Sequence, residues 1–148
     1  MKELLKPIHA AFSNRDDDVM KRLSQLLDRV GRAFHLAPDV LTDLRIVLDE
    51  VVTNIVKYAY ADDARHEFSI RCEIREGRLE TTIEDDGIAF NPLVAPAPDL
   101  GAPIATRRVG GLGVHFMKTL MNSVSYERVD GHNRLTLTQH LAPHGRAA

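Results

Sequence analysis

Between Tyr60 and Phe68 the hydrophobic period of this chain changes. Before the change, Val19, Leu23, Leu26, Leu27, Val30 and Phe34, and then Leu41, Leu44, Leu48, Val51, Val52, Ile55 and Ala59, recur at steps of three and four, as one face of a helix does. After it, Phe68, Ile70, Cys72 and Ile74 alternate with polar residues, Glu76-Gly77 marks a turn, and Leu79, Thr81 and Ile83 alternate again, which predicts a β-hairpin. The helical period returns at Val114, Met117, Leu120, Met121 and Val124, and a second hairpin follows, with strands at about Ser123 to Val129 and Arg134 to His140 around Asp130-Gly131. Strands grouped as hairpins build a largely antiparallel sheet. The chain is therefore predicted to be α+β, a two-layer sandwich with helices on one face of the sheet.

The element ends are read from local chemistry. Ser13, Asn14 and the aspartates at 16 to 18 suit a helix start, and the first helix is expected from Asp16 to Phe34. The second is expected from Pro38-Asp39, where proline suits the first turn and aspartate the dipole, to about Tyr60. A short strand is expected around Lys2 to His9. At 148 residues and 44% hydrophobic content the chain can bury one core, so residues 1–141 are read as one domain and 142–148 as a flexible tail.

A formal net charge of -2 gives no global field for nucleic acid or an anionic membrane, so an anionic ligand must be held locally. Cys72, the single cysteine, excludes an intramolecular disulfide and any multi-cysteine zinc site, fits a reducing cytosol, and is expected to pack rather than react. No apolar run reaches a membrane span, and MKELLKPIHAAF has no signal-peptide core; a soluble cytoplasmic protein is expected. The seven histidines are scattered, against metal ligation by histidine.

Three polar constellations stand out. On the second helix Glu50, Thr53, Asn54 and Lys57 cluster away from the apolar side, with Glu50 and Asn54 neighbours at i and i+4. A solvated face would look similar, but Asn54 is a poor helix former in mid-helix unless its side chain is used. At a strand end stands Glu84-Asp85-Asp86-Gly87-Ile88-Ala89-Phe90; this is either an acidic terminus with a glycine turn or a fixed carboxylate able to accept from an amino group such as that of adenine. Val109-Gly110-Gly111-Leu112-Gly113-Val114 lies just before the third helix, either as a connector or as backbone donors for phosphate. It lacks the ending of a P-loop and the preceding strand of a Rossmann turn. Between the last two lies an aperiodic Pro/Ala/Gly-rich loop, long enough to be functional or disordered.

Taken in order, DEVVTNIVKY, DDGIAF, a long loop and GGLGVHFMKTLMNSV resemble the N, G1 and G2 boxes of the Bergerat ATP-binding fold of gyrase, MutL and histidine kinases. The chain further resembles the small bacterial anti-sigma-factor serine/threonine-protein kinases of partner-switching systems, which consist of this domain alone. The resemblance implies ATP and Mg²⁺ as cofactors, with Asn54 on Mg²⁺, Glu50 as general base toward a serine hydroxyl and Lys57 toward the phosphates. It implies Asp85 on the adenine amino group, Gly87 permitting the turn, Gly111 and Gly113 presenting donors to the phosphates, and residues 92–110 as an ATP lid. Arg107 and Arg108 at the lid's end would add charge near the γ-phosphate or lie solvated.

Two departures are visible. Ala89 stands where the G1 box has a second glycine, and alanine disfavours positive φ. Lys57-Tyr58 is nearer the histidine-kinase version of the N box. A histidine kinase needs a preceding phosphoacceptor helix pair, for which this chain is expected to have no room. The expected function is thus phosphorylation of an anti-sigma-factor antagonist, with a sigma factor as a second partner and a homodimer suggested by resemblance alone. The alternatives are a nucleotide-responsive module that sequesters a partner without catalysis, and an α+β domain with no ligand.

Overall fold

The structure is a computed structural model that describes residues 5–94 and 111–142. In chain order it contains β1 (Ile8–Ser13), α1 (Val19–Ala33), α2 (Pro38–Tyr58), β2 (Glu67–Arg75), β3 (Arg78–Asp85), a 3-10 turn (Pro92–Val94), α3 (Gly111–Leu120), β4 (Ser123–Val129) and β5 (His132–His140). The strands form one five-stranded sheet in the order β1-β2-β3-β5-β4, every neighbour antiparallel.

Both hairpins are set by two-residue turns with left-handed backbone at each centre. These are Glu76 (φ 53) with Gly77 (φ 74), and Asp130 (φ 50) with Gly131 (φ 78). Such turns match the twist of the strands they join and pin Arg75 opposite Arg78 and Val129 opposite His132. With the register fixed, alternation decides the faces. Ile70, Cys72, Leu79, Ile83, Leu135 and Leu137 point into the core, while Thr82, Glu84, Arg134 and Thr136 stand half-exposed on the other face.

The helices close the core from one side. α1 buries Val19, Leu23, Leu26, Leu27 and Val30, and α2 buries Leu44, Val47, Leu48, Val52 and Ile55. Val47 joins the expected stripe, and Val51 sits at its edge, half-buried. This is the predicted two-layer α+β arrangement. Among the described residues no helix is long and apolar enough to cross a membrane.

Three boundaries differ from expectation, each for a physical reason. β1 lies at Ile8–Ser13 rather than Lys2 to His9, because its ladder to β2 pairs Phe12 with Phe68, whose rings stack at 5.4 Å. Ser13 and Asn14 do not cap α1. The N-cap is Asp18, which makes no side-chain cap hydrogen bond, while Asn14 Oδ1 accepts the His66 N–H at 2.8 Å and ties β1 to the loop before β2. α3 begins at Gly111 and stops at Leu120, because Val124 is taken by β4, opposite Leu137. α1 ends in a Schellman turn: His35 adopts φ 52, and the Leu36 N–H donates to the Gly31 carbonyl at 3.0 Å.

Cys72 is enclosed in this core beside Thr81, and burial pushes its thiol up to about 11. A thiol reagent at pH 8 is expected to leave the native protein unlabelled and to label one thiol per chain in denaturant. Rapid native labelling would show that the sheet opens at β2.

Candidate functional site

α2 presents two kinds of surface. Leu44, Val47, Leu48, Val52 and Ile55 bury its apolar side, while Glu50, Thr53 and Asn54 are half-buried along one edge and Lys57 and Tyr58 are exposed. Among the described residues the side chains of Glu50 and Asn54 have no hydrogen-bonding partner, so a carboxylate and an amide one turn apart remain available. α3 packs against α2. Gly111 and Gly113 lie within the first turn of α3, not ahead of it as the sequence pattern suggested, so their N–H groups belong to the unpaired donors of a helix N-terminus.

The far end of α2 is joined to the segment after β3. The Ile88 N–H donates to the Ala59 carbonyl at 2.8 Å, and a Cβ placed on Gly87 would lie 2.3 Å from that same oxygen. Gly87 is therefore needed for close approach rather than for a left-handed turn, since Gly77 and Gly131 are the described glycines with positive φ. Ala89 also lacks positive φ and is exposed, so the backbone here does not require the missing second glycine.

Asp85 ends β3 in a buried position, 7% exposed, and one of its oxygens is fully engaged. Oδ1 accepts from the Gly87 N–H at 2.9 Å and from the Asn133 side-chain amide at 3.0 Å. Asn133 sits directly opposite Asp85 on β5. Its amide also donates to the Ile88 carbonyl at 2.8 Å, while its Oδ1 accepts from the Phe90 N–H at 3.2 Å and from the Tyr126 hydroxyl. Arg128 adds a bond to the Gly87 carbonyl at 2.8 Å. No motif or period in the sequence marks Asn133, Tyr126 or Arg128. Only the cross-strand register of the second hairpin brings them here.

Beside this segment Tyr60 stacks on His66 with centroids 4.2 Å apart, and burial, then the nearby Asp85 and Asp86, raise the phenol above its usual range. His66 bridges two carboxylates, with Nε2 2.7 Å from Asp62 and Nδ1 3.6 Å from Asp86. The hydrogen bond to Asp62 is the main cause of the raised pKa of His66, and the same bond lowers that of Asp62. Arg108 and residues 95–110 of the expected lid lie outside the described residues, as do 143–148 of the expected tail.

Comparison with known proteins places this geometry. The family model described as a histidine kinase-like ATPase domain matches residues 12–139. The chain belongs to the histidine kinase-like ATPase domain family.

Among proteins similar to this member of the family is a serine/threonine-protein kinase, BtrW, of Bordetella bronchiseptica, 37% identical over 68% of this chain and 70% of that one. The serine-protein kinase RsbW of Bacillus subtilis is 36% identical over 78% of this chain and 70% of its own length. A crystal structure of the RsbU and RsbW domains of a Mycobacterium tuberculosis protein superposes with a TM-score of 0.65 at 14% identity. It covers 91% of this chain and 32% of that longer one, and speaks for the fold alone.

Two outcomes test this histidine kinase-like ATPase site. Gly87→Ala is expected to push the segment off α2, costing about 1–3 kcal/mol in urea denaturation and most of any nucleotide affinity; an unchanged variant would mean that the segment shifts freely. The Asp62–His66 contact sets a pH window. Unfolded, the two groups titrate at 3.8 and 6.5. With His66 raised, its contribution is complete below pH 6.5 and fades as pH rises through the raised value. With Asp62 lowered, its contribution holds above 3.8 and fades as pH falls through the lowered value. An NMR titration should place His66 above 6.5 and return it toward that value in Asp62→Asn, and a midpoint that stays put would assign the shift elsewhere.

Proposed function

We propose that this chain is an ATP-dependent protein-serine/threonine kinase of the cytoplasm. In this reading it also serves as an anti-sigma factor, phosphorylating an anti-sigma-factor antagonist in a partner-switching system and holding a sigma factor as its alternate partner. The observation that carries the reading is the pair Glu50 and Asn54, without side-chain partners among the described residues, one turn apart on the half-buried edge of a helix whose end is anchored to the Asp85 segment.

The roles follow from the chemistry each group can perform. Asp85 accepts from the adenine amino group through Oδ2, because Oδ1 is taken. The first turn of α3, with Gly111 and Gly113, offers N–H donors to the phosphates. Lys57, exposed on the last turn of α2, adds positive charge, and Arg108 is the second cation proposed for the phosphates.

Mg²⁺ fits this donor set, because it favours few protein oxygens with phosphate oxygens and water, and Asn54 supplies one amide oxygen. Among the described residues no group of three or more His, Cys, Asp or Glu side chains could hold a metal without the nucleotide. When bound, the ion would neutralise phosphate charge. Glu50 then takes the proton of the substrate serine hydroxyl as its oxygen bonds to the γ-phosphorus; the bond from that phosphorus to the β-γ bridging oxygen breaks, and ADP leaves.

Glu50→Gln is expected to retain Mg-ATP binding by calorimetry and to lower transfer of labelled phosphate to the antagonist about 10²–10⁴-fold. Asn54→Ala is expected to lose the magnesium-dependent part of binding. Undiminished transfer by Glu50→Gln would remove it as the base. ATP binding with no transfer by the wild type would favour a nucleotide-responsive module that sequesters its partner.

A further inference from the structure

Asn133 is the most connected side chain near the proposed base site, and none of the roles above uses it. Its orientation is fixed by chemistry. The NH₂ group faces two acceptors, Asp85 Oδ1 at 3.0 Å and the Ile88 carbonyl at 2.8 Å, whereas the carbonyl oxygen faces the Phe90 N–H at 3.2 Å and the Tyr126 hydroxyl. A flipped amide would set oxygen against two oxygens and N–H against N–H. The arrangement has a consequence for Asp85. Two donors, the Asn133 amide and the Gly87 N–H, converge on Oδ1 and occupy that oxygen. Oδ2 takes no partner among the described residues.

We propose that Asn133 is a positioning residue that sets base selectivity: by donating to Asp85 Oδ1 it keeps the opposite oxygen a pure acceptor, so the site takes a purine with a 6-amino donor and refuses one with a 6-oxo acceptor. The inference rests on the reading of Asp85 as the base-recognising carboxylate. Tyr126 acts one step further out, holding the Asn133 carbonyl in place. An aspartate at position 133 would keep the shape and remove the donor. Two carboxyl groups that close favour sharing one proton between their facing oxygens, so Asp85 Oδ2 would lose part of its negative charge and accept less strongly from a 6-amino group.

The test is calorimetric titration of the full chain with Mg-ATP and with Mg-ITP, which carries oxo in place of amino at position 6. Wild type, Asn133→Asp and Tyr126→Phe are compared as ratios of the two affinities. A merely structural role lowers both affinities by the same factor, because the competent fraction multiplies each, and leaves the ratio unmoved.

The expected result is a strong wild-type preference for ATP, a ratio at least about tenfold smaller in Asn133→Asp, and a smaller fall in the same direction in Tyr126→Phe. A wild type with no preference between the two nucleotides would overturn the Asp85 reading, and this inference with it. A wild-type preference kept by both variants would overturn the role of Asn133 while leaving Asp85 in place. If Asn133→Asp does not fold, Tyr126→Phe alone decides: an unchanged ratio overturns the proposal and a reduced one supports it.

Discussion

The carbonyl of Ala59 fixes the helix layer to the sheet at the one place where a ligand could read both. A helix leaves its last carbonyls without intrahelical partners, and here one of them is used by the Ile88 N–H rather than by water. The bond requires the segment after β3 to approach α2 more closely than a Cβ would permit, so Gly87 is part of the same interaction. With that end held, the helical rise places Asn54 about 7.5 Å from Ala59 along the axis and Glu50 a further turn away. The spacing between the proposed base end and the proposed phosphate end of the site is then a property of one rigid element.

The buried network at Asp85 shows how polar groups are kept at such a junction. An enclosed carboxylate or amide costs free energy unless each atom finds a partner, and a fully connected set also fixes a unique geometry. Asn133 satisfies this at one end of β5, with four partners drawn from three segments. Gln139, on the same face at the other end of β5, donates to the Val40 carbonyl at 3.0 Å but leaves its oxygen unpaired. The two residues are chemically alike and six positions apart. Only the first is organised around a carboxylate, and that organisation marks it as more than packing.

Much of this architecture was readable in the residues. Two-residue turns ending in glycine, flanked by alternation, define hairpins with little ambiguity, and the polar edge of α2 was visible because Asn54 contradicts its helical surroundings. β1 was displaced because Ala10 and Ala11 carry weak strand signals and Ser13-Asn14 imitates a helix cap. Asn133 was unreadable for a deeper reason. A polar residue at the start of a strand is ordinary, and its meaning arises only when antiparallel pairing sets it opposite Asp85, 48 positions earlier in the chain. Gly87 was read as permitting a turn, whereas its lack of a Cβ serves the close approach to Ala59, and steric closeness to a helix end leaves no local signature.

Charge distribution gives the site a direction that net charge conceals. With only -2 overall, no global field attracts a nucleotide. Locally, Asp62, Asp85 and Asp86 gather around Tyr60 and His66 where α2 ends, and that end of the helix dipole is itself negative. The first turn of α3 presents the positive end of a second dipole. A polyphosphate is therefore repelled from the carboxylate end and favoured at the amide end, while a neutral amino-bearing base meets the reverse preference. Opposed fields of this kind would orient a nucleotide, with its base toward the acidic cluster and its phosphates toward α3 as proposed.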